Sequence, residues 1–265
     1  ISLTSGRMSG QLQLILAILI AAGTGIVFSL FHAFASINMK ADQTISGTAL
    51  NMFAPAFAIF VARRITGTQQ IQFTNTFRIA SVPVLGDIPV IGDLFFKNTY
   101  ITTYIGFAIL IISTIVLYYT RFGLRLKSCG EHPQAADSVG INVYKMQYAG
   151  VIISGALGGL GGLVFVVPTS TNFNASVAGY GFLALAVLIF GQWHPVKILG
   201  ASLFFGLMKT IAATYSSIPF LSTSGIPSYI YKMVPYIATL IVLVFTSKNS
   251  QAPKAEGIPY DKGAR

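Results

Sequence analysis

The chain has 265 residues, 54% hydrophobic and only 9% charged, with a mean hydropathy of +0.71 and a formal net charge of +10. A water-soluble domain carries about 25% charged residues, so the composition excludes one and describes a protein of the bilayer. The basic residues are scattered between apolar runs, which excludes a nucleic-acid surface and fits the loop charges of a multi-span protein.

Leu12–Ile37 is the first apolar run, longer than the roughly 20 residues that cross a membrane. Ser29, His32 and Ser36 recur at spacings of three and four and share a face. A histidine inside a span is either a working group or a neutral imidazole bonded to a neighbour near the helix end. Ile45–Val61 is the second span, and Thr44, Thr48, Asn51 and Pro55 line one side of it. A polar stripe in a bilayer faces other helices or a watery path. Both readings stand, glue between helices and lining of a translocation path. Residues 63–98 form a long loop whose segment VPVLGDIPVIGDLFF predicts turns and short extended pieces packed over the mouth of the protein. Tyr100–Tyr119 is the cleanest span, with Tyr100 and Tyr104 at one end and Tyr118 and Tyr119 at the other, an aromatic belt.

The polar stretch that follows, Arg121–Tyr148, has uncharged apolar sequence on both sides. Pro133 suits a first helical position and Gly140 the left-handed residue that closes a helix. The pattern predicts a short helix PQAADSV held between arms bearing Arg and Lys. Its outer surface would show Ala135, Ala136 and Val139, shaped for a groove in a partner; an ordinary solvated loop is the alternative. Cys129 is the single cysteine, so no internal disulfide is possible, and an inert reduced thiol is expected.

Residues 146–167 contain SGALGGLGG, where Ser154, Gly158 and Gly162 recur every four residues, as do Gly155 and Gly159. Small residues at that spacing predict close helix packing in lipid. Residues 177–190 are short for a span and predict a broken, tilted or re-entrant one. Residues 198–216 hold Lys209, which either snorkels to an interface, the favoured reading, or lines a cavity. The last span is 229–246, and the polar tail 247–265 is expected to be poorly ordered. Placing the Arg121 stretch inside puts Lys40, Lys197 and the tail inside too. Ten basic residues then lie inside against six outside (Arg7, Arg63, Arg64, Arg78, Lys97 and Lys232), as the positive-inside rule favours. The chain begins with Ile and shows no signal peptide, so earlier spans are expected to precede it.

No GxxxxGK[ST], HExxH or CxxC pattern occurs, and no Ser/His/Asp set emerges. The acids read as loop or boundary residues, so the intramembrane carboxylates of ion-coupled carriers are missing. A carrier built this way needs energy from elsewhere.

Phe122–Leu126, Gly130–Pro133, Ala135, Ala136 and Gly140–Val143, followed by Ser154–Gly162, resemble the coupling loop and next span of permease subunits in ATP-binding-cassette (ABC) importers. The matching family is the branched-chain amino acid and simple sugar permease superfamily. ADQTISGTALN at Ala41–Asn51, the GEHP variant, GDIPVIGDLFF, FGQWHP and APKAEGIPY look like its nucleoside-uptake branch. The family's amino-terminal span is not matched, and Cys129 and Lys209 depart from its pattern. The resemblance implies an all-α, polytopic transmembrane helical bundle with a cytoplasmic coupling helix in loop 120–145, one permease domain over 1–265. It implies ATPase coupling through Arg125, Gly130, Glu131, Pro133, Ala135, Ala136, Val139 and Gly140. The implied partners are an ATP-binding-cassette ATPase subunit, a second permease subunit and an extracytoplasmic substrate-binding lipoprotein, all at a bacterial plasma membrane. No enzyme activity and no bound cofactor are implied for this chain; the partner uses ATP and Mg. The residue pattern itself nominates Thr44, Thr48, Asn51, His32 and Asn172 for the substrate path, with Asn174 beside Asn172 as a contact for the binding protein. Sugars or amino acids as cargo, or an ATPase-independent secondary carrier, are the competing readings.

Overall fold

A computed structural model describes residues 10–72, 77–81, 88–89, 92, 96–169, 172–173, 175–217, 227–246 and 252–263. Backbone polar groups have no water to bond in a bilayer, so apolar runs become helices, and every predicted span falls on one. These are α1 (Gly10–Ala33, continued by a π turn, Phe34–Asn38), α2 (Gln43–Thr66), α3 (Ile101–Tyr119) and α6 (Val143–Thr169). Then come α7 (Tyr180–Phe190), α8 (Pro195–Thr214) and α9 (Ser228–Thr246). Two helices, α4 (Arg121–Glu131) and α5 (Pro133–Ser138), lie in the polar stretch. Five of the helices are long and apolar enough to cross a membrane. The fold is an all-α polytopic bundle, and its short strands only tie loops together: β1 (Ile71–Gln72) with β4 (Asn172–Phe173), and β2 (Arg78–Ser81) with β3 (Lys97–Tyr100).

The chain forms two compact units, Ile1–Val177 with Lys254–Arg265, and Ala178–Pro253. In the first, α1 and α6 lie backbone to backbone. A Cβ on Gly159 would stand 2.0 Å from the Ala21 carbonyl oxygen, and one on Gly25 would stand 2.0 Å from that of Gly155. One on Gly155 would strike the Ser29 side chain at 2.2 Å. The predicted packing through Gly155 and Gly159 is therefore present. The parallel row is different: a Cβ on Gly158 or Gly162 meets nothing within 4 Å. Only one row can face α1, because adjacent helix positions point about 100° apart. Ala21, Gly25 and Ser29, also four apart, supply the answering groove on α1.

At one end of this unit the long loop is anchored by Phe77, fully buried between Leu14 and Val167. The ladders pair Ile71 with Phe173, Gln72 with Asn172, and Arg78 with Tyr100. These strands flank the VPVLGDIPVIGDLFF segment, of which residues 82–87, 90–91 and 93–95 lie outside the described residues. Both ends of α3 carry the expected tyrosines. Arg78 Nε donates to the Tyr100 hydroxyl at 3.0 Å, and Lys127 Nζ sits 3.2 Å from the Tyr118 ring centroid.

At the other end lies a correction to the sequence reading. Residues 252–263 of the tail are packed, and Tyr260 is only 5% exposed. A polar tail orders when an aromatic ring within it finds an apolar seat, and here α4, α5 and α6 provide one.

In the second unit, α7 has 11 residues. At 1.5 Å per residue it rises about 16 Å, half the apolar thickness of a bilayer, so a short segment stood where the sequence required one. Lys209 does not simply reach for water. Its ammonium lies 5.0 Å from the Tyr180 ring centroid and 5.7 Å from that of Tyr236, beside a cavity of about 290 Å³. Ring faces stabilise a cation in such surroundings, which fits the cavity-lining reading of Lys209 and not the favoured snorkelling.

Candidate functional site

The chain turns sharply between α3 and α4 because position 123 is glycine. A Cβ there would stand 2.1 Å from the Val116 carbonyl oxygen. The Thr120 hydroxyl caps α4 by accepting from the Gly123 N–H at 3.2 Å. The arm predicted as merely basic is thus an 11-residue amphipathic helix, with Gly123 and Cys129 buried and Leu124 70% exposed.

Pro133 opens α5 and Gly140 leaves it at φ +82°, both as the sequence predicts. The Gly140 N–H donates to the Asp137 carbonyl, and the Ile141 N–H to that of Ala136. Asn142 then caps α6, accepting from the Lys145 N–H at 3.0 Å. The helix faces two ways. Ala135 and Val139 are exposed with Glu131, Arg125 and Gly140, while Pro133 and Ala136 are buried. The outer surface predicted for Ala135, Ala136 and Val139 therefore loses Ala136. Neighbouring positions on one turn diverge by about 100°, and the tail covers the side that Ala136 takes.

The inward side is a cluster of Cys129, Ala136, Val143 and Tyr260, with Ile141, Tyr144 and Met146 packed around it. The Tyr260 ring meets that of Tyr144 edge-on, 5.3 Å between centroids. Burial, then a hydrogen bond to the Asp137 side chain and its negative charge, push the Tyr260 phenol up, so it stays protonated and donates. The Ala255 N–H donates to the Gly130 carbonyl at 2.9 Å, and Lys40 pairs with Asp261 at 2.9 Å. The hydrogen bond from Lys40, then that from the Gly263 N–H, hold Asp261 below the usual carboxylate range. Lys40, the Arg121 stretch and the tail share one end of the unit, as alternation of spans required.

The sequence reading singled out APKAEGIPY only as a family match and gave Tyr260 no packing role, although a tyrosine behind Gly257 and Pro259 in a polar run was a usable signal. Burial also pushes the Cys129 thiol up. Cys129 is therefore expected to react with a maleimide at least tenfold more slowly than a free cysteine at the same pH, on an order-of-magnitude scale. Denaturation should restore the rate, which a timed quench followed by mass spectrometry would read.

The polar stripe on α2 sits on an open face. Thr44, Thr48 and Asn51 are exposed, and the Thr48 hydroxyl donates back to the Thr44 carbonyl. Asp42 caps the helix, accepting from the Thr44 and Ile45 N–H groups. None of the three is buried against a helix of the described residues. His32 stands apart from the stripe: its Nδ1 lies 3.0 Å from the Ser46 hydroxyl, the neighbour bond considered from sequence. Asn172 is exposed and paired with Gln72 beyond the far end of α2, so it does not join Thr44. Asn174 lies outside the described residues. Among the described residues no three His, Cys, Asp or Glu side chains gather as metal ligands.

The sequence model of the family described as branched-chain amino acid transport system / permease component matches residues 2–243. The guanosine ABC transporter permease protein NupQ of Bacillus subtilis is 45% identical over 252 residues, 94% of this chain and 78% of the relative. The nucleoside ABC transporter permease protein NupC of Lactococcus lactis is 43% identical over 98% of this chain and 82% of its own length. A second Lactococcus lactis protein, the nucleoside ABC transporter permease protein NupB, is 30% identical over 59% of this chain and 42% of its own length. No solved structure matches the chain.

Proposed function

The chain belongs to the family of branched-chain amino acid transport system permease components, and on that premise we propose that it is the membrane-spanning permease of an ABC importer for nucleosides. The observation that carries this reading is identity of 45% and 43%, over nearly the whole chain, to permeases named for guanosine and for nucleosides. The chemistry of α2 agrees. A nucleoside offers hydroxyls and ring nitrogens, which neutral groups such as Thr44, Thr48 and Asn51 can pair without a charge in the bilayer.

In this reading α5 docks in a groove of an ATPase subunit through Ala135 and Val139, with Glu131 and Arg125 at the rim. Pro133, Gly130 and Gly140 shape the turn rather than touch the partner. ATP and Mg act in the ATPase, and this chain holds no cofactor and hydrolyses nothing. A second permease completes the pathway; Lactococcus lactis has two different relatives of this kind, which favours an unlike pair. An extracytoplasmic binding lipoprotein delivers the cargo.

The test is uptake of labelled guanosine by proteoliposomes of the assembled importer. ATP-dependent uptake, competed by unlabelled nucleosides and not by glucose or leucine, is expected. Uptake that survives ATP depletion and collapses with the ion gradient would establish a secondary carrier instead.

A further inference from the structure

We propose that Tyr260 and Asp261 are positioning residues, a clasp that ties α5 to the turn before α2 and so delivers the ATPase stroke to the polar stripe. The proposal rests on the ATP-driven reading above and names the route that force takes within this chain.

Helix α5 has only six residues. A single turn has no stability of its own and holds its shape only by packing. Its inward residues are Pro133 and Ala136, and Ala136 is seated in the cluster that the Tyr260 ring completes. Burial, then the Asp137 carboxylate at the end of the same turn, push the phenol up, and the Ala255 N–H grips the Gly130 carbonyl at the elbow between α4 and α5. Three contacts of different chemistry thus bind the tail to the segment that would be pushed.

The next residue reaches elsewhere. Asp261 pairs with Lys40 at 2.9 Å and accepts from the Gly263 N–H at 3.0 Å. Lys40 lies between the π turn that ends α1 and Asp42, the cap of α2, at φ +53°. That left-handed backbone is uncommon for a residue other than glycine, and the pairing holds it from outside. Two consecutive tail residues therefore bridge α5 and the foot of α2. Adjacent residues keep a fixed spacing, so a shift of α5 draws on Lys40 for as long as the exposed ion pair holds.

The experiment uses the complete importer in proteoliposomes and measures cargo taken up per ATP hydrolysed. Asp261→Lys and Lys40→Asp are each expected to lower that ratio about three- to fivefold, the scale of one exposed ion pair, while ATP hydrolysis continues. Together the two reversals should recover at least half of the loss. Maleimide protection of Cys129 in each variant serves as the check that the cluster stays folded, and Tyr260→Phe should fall between wild type and Tyr260→Ala. Unchanged ratios in both single variants, or a double variant no better than either, would overturn the clasp. ATP hydrolysis by the wild-type importer with no nucleoside uptake would instead overturn the reading beneath it.

Discussion

Ala135→Glu is expected to stop uptake, by about a hundredfold or more, while the protein inserts and folds as before. Ala135 is exposed on a turn whose other side is packed, so nothing within the chain resists a larger side chain. The cost appears only when the partner closes over it. A charge buried at an interface without a partner costs about 3–5 kcal/mol, which weakens docking by about two to three powers of ten. Ala136→Glu is expected to fail differently. Its charge would enter the cluster of Cys129, Val143 and Tyr260, so stability falls before docking is reached. Membrane abundance, ATPase capture in detergent and uptake separate the two: Ala135→Glu keeps the first and loses the others, whereas Ala136→Glu loses all three. Normal uptake by Ala135→Glu would remove α5 from the coupling route.

Gly159→Leu is the second large effect. A Cβ at that position would stand 2.0 Å from a backbone oxygen of α1, which has no rotamer with which to move aside. The helices must part along their length. Overpacking of this kind costs about 1–3 kcal/mol, and a fall of roughly 5–10 °C in the melting temperature in detergent is expected. Gly158→Leu, one position away and meeting nothing within 4 Å, is expected to melt close to the wild type. Equal loss in both variants would show that glycine serves helix conformation here and not close approach.

The spans were legible because their signal is local: apolar composition over a length set by the bilayer. The turn at Pro133 and Gly140 was legible for a similar reason, since each residue carries its own backbone preference. What could not be read was pairing across sequence. The repeat of glycines on α6 has two rows, and only the position of α1 decides which one is used. The direction of Ala136 depends on a tail more than a hundred residues away. Lys209 looked like a charge seeking water because the rings of Tyr180 and Tyr236 that receive it lie on other helices. At the α2 stripe the sequence supplied the register, and the structure adds that Thr44, Thr48 and Asn51 are exposed.

The seat of Tyr260 has a bearing on biosynthesis. The residue that completes the hydrophobic cluster beneath α5 is translated after every helix of the described residues. Until then Ala136 and Cys129 lack their cover, and the turn that presents Ala135 has no fixed shape. A chain stopped before Tyr260 is therefore expected to keep its membrane-crossing helices while leaving Ala136 and Cys129 uncovered.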